Sequence, residues 1–595
     1  MLHEIVNYAR RAGLCAEPGF SAKEVRWAIS LTSAGQYLGL LALGDPAGRR
    51  KRGRMFPMCP DLMHGELIAG GKTRSHFLVE RVEVVAGFGQ PVNPGKTPAK
   101  RRFFIELLKQ ASEVMPELSA AAAVLEDQEA MSRLRQKLAE AKAKPTDKIT
   151  LCIDGRFPVE SQDWHQWWRR YRAGLVPARR GKKSKDRGGR MLCLLTGEAV
   201  LPAATHPKIK GLPGANPSGA TLVGFDKEAF RSFGLEQSAN AAMSEEAAKA
   251  YEAGLNDLIR SHATRLRGLP VLIVHWYRSK VASEDDPLAW LEDPPEVAEA
   301  DAQIRARELL TAIQTGRRPD LAGNTYYALS LSGNGGRVMV RDWMEGAFEQ
   351  LLEAVDSWFK DLAIVRPTDG GLAPLPRFSR LVSSLAVGDQ QEGVAPPLAA
   401  KLYRAAVRAE PIPFAVLTQA LARTRVDLVK GYVPDAAHAG LLRAYLVRQY
   451  RQKGEISMAE AIQPELNKEL GDPAYQCGRL MAVLAAVQQE ALGRDVGADV
   501  LQRYYAAASA TPALVFGRLM RLAQFHLGKI KQDKPGLAWW YEDLVAGIAK
   551  RIGREMPATL TLEQQSMFAL GYYQQLAELR APRQQKQQIE EGGNQ

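Results

Sequence analysis

Up to about residue 375, short apolar runs alternate with glycine and proline turns. They are HFLVERVEVVAGFG (76–89), KITLCIDG (148–155), MLCLLTG (191–197), LPVLIVHWY (269–277), TYYALSLSG (325–333) and GRVMVRDW (336–343). Valine, isoleucine, leucine and aromatic residues bounded by such turns predict strands. Between them, 97–144, with its alanine-rich middle, and 244–261 predict helices. This half of the chain therefore reads as α+β. From about 379 onward the spacing becomes helical. Asp472–Pro473 marks a helix start, and Leu480, Val483, Leu484 and Val487 follow at the i, i+3, i+4, i+7 spacing of one face. Thr511–Pro512 repeats the start signal ahead of Val515, Leu519 and Leu522, and Thr561 with Gln564 predicts a capping box before Phe568, Tyr572 and Leu576.

These patterns predict a mixed α/β N-terminal region, 1–375, followed by an all-α bundle, 376–595. The stretch RPTDGGLAPLPRF (366–378) is the linker, because proline and glycine interrupt both helix and strand. Glu284, Asp285, Asp286, Glu292 and Asp293 predict a solvated loop leading to a helix near Val297, and the tail RQQKQQIEEGGNQ reads as frayed.

Composition narrows the partner. The formal net charge is +13 and the pI about 9.4, a balance that favours a polyanion. Between Trp164 and Arg190 ten lysines and arginines face a single acid, Asp186. Nucleic acid is the first partner class and an anionic membrane surface the second. No apolar run approaches the roughly 18–20 residues that span a bilayer, and MLHEIVNYARRAG lacks the apolar core of a signal peptide. Five scattered cysteines (Cys15, Cys59, Cys152, Cys193, Cys477) fit reduced thiols, so a cytoplasmic location is expected.

Catalytic signatures are absent from the sequence: there is no GxSxG, P-loop or HExxH, and no cysteine–histidine set has metal spacing. Neither a catalytic residue nor a metal or other cofactor is expected. His206 and His275 are read as structural. Basic clusters are plentiful: Arg49, Arg50, Lys51, Arg52 and Arg54; Lys72, Arg74 and Ser75; and Lys96, Lys100, Arg101 and Arg102. In WHQWWRRYRAGLVPARRGKKSKDRGGR (164–190), Trp164, Trp167, Trp168 and Tyr171 are interleaved with arginines. Cations meet phosphates and aromatic rings stack on unpaired bases, although these four rings also share one helical face and would serve equally as core. In the bundle, Arg518 and Arg521 lie opposite the apolar stripe, Lys529 extends that face, and Arg479 and Arg503 are candidates for it.

The segment HPKIKGLPGANPSGATLVGF (206–225) combines Lys208 and Lys210 with a loop punctuated by Gly211, Pro213, Gly214, Pro217 and Gly219, and carries Asn216 and Ser218. Glycines let backbone approach a ligand and offer N–H donors, and lysines favour an anion. This segment with CLLTGEAV resembles the signature block of the large subunit of type I-C CRISPR Cascade, a crRNA-guided surveillance complex. YYALSLSGNGGRVMVRDW (326–343), DPAYQCGRLMAVLAAVQQEAL (472–492), YYAAASATPALVFGRLMRL (504–522) and LTLEQQSMFALGYYQQ (560–575) resemble further blocks in family order. Two positions depart from that pattern: Gln574 stands where a histidine is expected, and GNGG (333–336) has glycines where bulkier residues are expected.

The resemblance implies a non-catalytic subunit that recognises the PAM on target double-stranded DNA, assists its opening and R-loop stabilisation, and helps recruit a helicase–nuclease. Its implied partners are crRNA, the backbone and 5′-handle-binding subunits, and small-subunit copies of its own C-terminal region, started internally at Met458. It places Lys208, Lys210, Gly214, Asn216 and Ser218 nearest the PAM duplex, with Lys72 and Arg74 as secondary candidates. It assigns Asn334, Arg337 and Arg341 to RNA or DNA backbone, or to ordering a turn. Two rival readings remain, a crRNA-binding scaffold without DNA discrimination and a nucleic-acid enzyme whose carboxylates converge only in the fold.

Overall fold

The computed structural model describes residues 1–15, 17, 19–44, 53–62, 66–67, 73–90, 94–175, 190–203, 205–230, 233–261, 265–266, 271–292, 301–386, 394–493 and 499–582. Lys72, the cations 49–52, the segment 176–189, the predicted helix start near Val297 and the tail from 583 lie outside them. The fold is α+β. It divides into two compact units: Met1–Ile209 with Thr221–Asp257, and Lys210–Ala220 with Leu258–Gln595. The change of pattern at 375 falls inside the second unit.

In the first unit, four strands form a sheet in the order Tyr37–Ala42, Trp27–Leu31, Lys148–Ile153, Glu80–Arg81, with Trp27–Leu31 and Lys148–Ile153 parallel. Phe20–Val25 pairs separately with Arg54–Pro60. The predicted 97–144 helix is three helices, Thr97–Ala111, Glu117–Glu126 and Gln128–Glu140, interrupted at Pro116 and at Asp127, whose carboxylate caps the third by accepting from Glu129 N. The predicted strand over 76–89 shrinks to Glu80–Arg81 and is followed by a helical turn, Val82–Val85. Leu78, at φ 55°, breaks the extended run, and Val82 and Glu83 donate to the carbonyls of Asp147 and Pro145.

The interleaved aromatics resolve as core. Trp164 and Trp168 are fully buried, Trp167 nearly so, and Phe77 packs against all three at centroid distances of 5.2–6.0 Å. Trp164 Nε1 donates to Pro158 O and Trp168 Nε1 to Gly19 O. An indole buried with its N–H satisfied is held in the interior, not offered to a base.

In the second unit the three predicted strands form, as Leu272–Tyr277, Thr325–Asn334 and Arg337–Ala347, and they are successive antiparallel neighbours. The central strand is buried on both faces from Tyr326 through Ser332. The helix Phe348–Leu362 covers the sheet with Phe348, Leu351, Leu352, Val355 and Trp358. Its C-terminal carbonyls at Lys360 and Asp361 accept from Arg443, whose guanidinium is pushed down to about 10 by burial.

One apolar core continues from this sheet through the later helices. At its centre Pro473–Leu492 crosses Leu562–Arg580. Two of the three predicted starts form side-chain caps: Asp472 accepts from Tyr475 N at 2.8 Å, and Thr561 and Gln564 make a reciprocal capping box, while Thr511 precedes Pro512–Asp533 without a side-chain cap. Pro473–Leu492 is not simply amphipathic, because every residue from Ala474 to Leu484 is buried. A Cβ on Gly478 would lie 1.9 Å from Phe568 O, and one on Gly571 2.1 Å from Tyr475 O. The two backbones therefore touch only because both positions are glycine.

Candidate nucleic-acid interface

The loop Lys210–Ala220 and the hairpin turn after Thr325–Asn334, far apart in sequence, meet in the second unit. Gly333 N donates to Pro213 O at 2.7 Å, Gly335 N to Gly214 O at 3.0 Å and Asn216 N to Gly335 O at 2.8 Å. Ala215 and Gly335 form an isolated parallel bridge. Glycine permits this approach at two points. A Cβ on Gly333 would stand 2.3 Å from Ala215 N, and one on Gly214 2.8 Å from Gly333 O. Gly335 occupies the turn with φ 55°, where a side chain adds strain. Gly336 has neither constraint; a Cβ there would meet Asn216 Nδ2 at 3.8 Å, an ordinary contact. The unexpected glycines of GNGG are thus explained at 333 and 335 by this clamp.

The clamp leaves polar side chains outside. Lys210, Asn216, Ser218, Asn334 and Arg337 are all exposed on the loop and the turn. Arg341, farther along the strand, is half-buried and donates from Nε to Ser332 Oγ at 2.8 Å. Two cations, two amides and a hydroxyl on a backbone-locked scaffold suit contact with phosphates and groove edges. Gly214 contributes through its backbone, in the left-handed conformation at φ 75°.

The remaining candidates lie on other elements. Lys208 is exposed on the two-residue strand Lys208–Ile209 of the first unit. In that unit Arg102 is exposed and Lys100 half-buried, while Arg74 Nη1 donates to Glu66 O. Arg101 is a correction. Its two terminal nitrogens donate to Val85 O at 2.6 Å and Leu125 O at 2.5 Å, and burial lowers its pKa, so it ties a helix to its neighbours. Lys72 lies outside the described residues.

In the helical part Arg479 is a second correction. It is 3% exposed and donates to Gln575 Oε1, Gln476 Oε1 and Lys468 O, leaving no surface for a nucleic acid. Gln574, the other departure, is equally structural: it accepts from Tyr475 OH at 2.6 Å and donates to the carbonyls of Gln463 and Pro464. Arg503, Arg518 and Arg521 are exposed as predicted, with Arg518 5.7 Å above the Tyr504 ring. Sequence reasoning missed their neighbours. Leu514, 80% exposed, and Phe525, 72% exposed, share the outer stripe with Arg518, Arg521 and Lys529. The spacing 514, 518, 521, 525, 529 is itself a helical face, so the signal was present in the sequence.

His206 bridges Tyr251 OH and Ala241 O, and His275 meets the Asp286 carboxylate at 2.8 Å. Among the described residues no group of three metal-ligating side chains converges, and no helix is long and apolar enough to cross a membrane.

The fold and its exposed cationic loop define a two-unit α+β protein with a clamped, glycine-rich surface site. The family model for CRISPR-associated protein (Cas_Csd1) matches residues 2–580. The chain belongs to that family, which supports a CRISPR-associated Cascade subunit with crRNA and other Cascade subunits as its partner classes. No curated protein matches the chain.

Proposed function

We propose that this chain is the non-catalytic large subunit of a type I-C Cascade, and that it recognises the PAM on target double-stranded DNA. The observation that carries this reading is the clamp, which holds Lys210, Asn216, Ser218, Asn334 and Arg337 exposed on one rigid support. A short duplex motif is read by a few fixed polar groups backed by phosphate contacts, while pairing to the guide supplies the remaining sequence specificity. Strand opening and R-loop stabilisation follow from the same division of labour. The cationic stripe of Pro512–Asp533, with Phe525 between Arg521 and Lys529, has the mixture of charge and aromatic surface that unpaired strands use. Recruitment of the helicase–nuclease, and separate production of 458–595 from Met458, belong to the same reading.

The test is equilibrium binding of duplexes that share one protospacer and differ only in the flank. Binding is measured at fixed salt, to crRNA complexes assembled with and without the chain. Affinity should depend on the flank only when the chain is present. Within that assay Lys210→Ala should weaken all duplexes alike. Asn216→Ala should relax discrimination at one flank position by about 1–3 kcal/mol, roughly five- to 150-fold. Flank-independent binding by the complete complex would overturn the proposal in favour of a crRNA scaffold.

A further inference from the structure

The hairpin of Thr325–Asn334 and Arg337–Ala347, which carries the clamp turn, is not regular. Ser330 faces Asp342 and Leu331 faces Val340, so Arg341 between them has no partner on the opposite strand. A bulge of this kind leaves one residue out of the ladder and re-aims its side chain. Arg341 turns toward Ser332, whose hydroxyl accepts from its Nε at 2.8 Å. Ser332 is buried and immediately precedes Gly333 of the clamp. It stands one pleat step, about 7 Å, before Asn334 on the same face of the strand. The Arg341 guanidinium therefore lies behind the Asn334–Arg337 pair, held by a residue that the sheet itself fixes.

The anchor is at the opposite end from that of the structural arginines. Arg101 and Arg443, which tie elements together, donate through their terminal nitrogens to backbone carbonyls. Arg341 is held through Nε, and among the described residues its two terminal nitrogens meet neither an acceptor nor a carboxylate. The adjacent acid, Asp342, is taken by Arg404 at 2.9 Å. What remains is a half-buried planar fork of N–H donors, fixed in direction, that matches two oxygens of one phosphate. A carboxylate has the same bite. The clamp segments 210–220 and 333–337, however, hold Lys210 and Arg337 and no acid, a field that suits a polyanion better than one acidic side chain. We propose that Arg341 grips one phosphodiester of the nucleic acid at the clamp through Nη1 and Nη2, and that Ser332 is the positioning residue that aims it. The inference rests on the clamp being a nucleic-acid site. It adds a contact that fixes register without reading sequence.

The experiment measures duplex binding by the crRNA complex assembled with the full chain, across a range of salt. Arg341→Ala should weaken every flank alike, by about ten-fold, and reduce the slope of log K against log salt by about 0.9, one duplex phosphate's share. Arg341→Lys, which keeps the charge without the fork, should recover the slope but little of the affinity. Ser332→Ala should cost about three-fold in the wild-type background and nothing further beside Arg341→Ala, because it acts through that side chain. Methylphosphonates, which remove one backbone charge at a time, are then placed along the duplex and along the guide RNA. One position should weaken wild type about ten-fold and leave Arg341→Ala indifferent, and the strand that holds it names the source of the phosphate. Arg341→Lys repeats that comparison should Arg341→Ala fold poorly. A wild-type complex that discriminates flanks, with no position at which wild type and the Arg341 variants differ, overturns the fork and leaves the clamp reading standing. A wild-type complex that binds every flank alike refutes the clamp reading, and the fork with it.

Discussion

Two of the places in the second unit where glycine brings backbones together, the core crossing and the clamp, have different roles set by their surroundings. Where Pro473–Leu492 crosses Leu562–Arg580, Gly478 and Gly571 face carbonyls, and Tyr475, Cys477, Arg479, Phe568 and Tyr572 around them are buried. Where the 210–220 loop meets the 333–337 turn, Gly333 and Gly214 also admit backbone, with a Cβ at 2.3 and 2.8 Å from it, yet Asn216, Ser218, Asn334 and Arg337 are exposed. The first contact closes a core and leaves nothing for a ligand. The second fixes backbone so that side chains from distant parts of the chain are presented together. Close approach by itself therefore marks no functional site; what stands around it decides.

The comparison breaks most severely at the core crossing. Gly478→Ala would force a methyl to 1.9 Å from Phe568 O, and Gly571→Ala one to 2.1 Å from Tyr475 O. Backbone cannot swing aside as a flexible side chain can. Each substitution should cost about 3 kcal/mol or more, at the upper end for overpacking. Chemical denaturation of the full chain measures this, and a midpoint within error of wild type for both variants would show that the helices separate freely.

At the clamp the same test should split stability from function. A Cβ on Gly333 would stand 2.3 Å from Ala215 N, so Gly333→Ala should detach the loop from the turn. Because the loop is exposed, the cost to folding should be smaller, about 1–3 kcal/mol. Discrimination among flanking sequences should nevertheless disappear, with weak flank-independent binding remaining. Retained discrimination in Gly333→Ala would mean that the clamp does not organise the site.

The two regions also differ in how much of them could be read from sequence. The core crossing announced itself locally, through Asp472–Pro473 and the Thr561–Gln564 box, both of which cap as read. Its centre did not. The stripe Leu480, Val483, Leu484, Val487 predicts one wet face, whereas every residue from Ala474 to Leu484 is buried, and with them Arg479, a candidate for the surface that carries Arg518 and Arg521. Arg101 failed similarly: an arginine whose donors reach carbonyls at Val85 and Leu125 looks, in sequence, like any surface cation. The clamp residues were legible as chemistry, cations and amides in a glycine-rich loop. Their union with Asn334 and Arg337 was not, because it depends on a backbone contact between distant segments that no periodicity encodes.

A third test moves to the outer stripe of Pro512–Asp533, which has charge without a clamp. If it follows unpaired strands, Phe525→Ala should weaken binding of an oligothymidylate by about 1–2 kcal/mol at any salt, the size of one stacked base. Arg521→Ala should instead reduce the salt dependence by about one phosphate's share. Neither should alter flank discrimination. Loss of discrimination in these variants would merge the stripe with the clamp and erase the distinction between them.

The finest test stays within the four residues Gly333–Gly336. Gly335 has open space around it and a φ of 55°, whereas Gly336 has an unexceptional φ and only Asn216 Nδ2 nearby, at 3.8 Å. Gly335→Ala should therefore cost about 1 kcal/mol from left-handed backbone alone, and Gly335→Asn less, because asparagine tolerates that conformation. Gly336→Ala should be close to neutral in both stability and flank discrimination. Three glycines in one turn would then be separated by cause: close approach at 333, backbone conformation at 335 and no steric demand at 336. A Gly336→Ala variant as damaged as Gly333→Ala would show that the loop sits closer to the turn than 3.8 Å allows, and that Asn216 needs that open space as much as it needs the backbone beneath it.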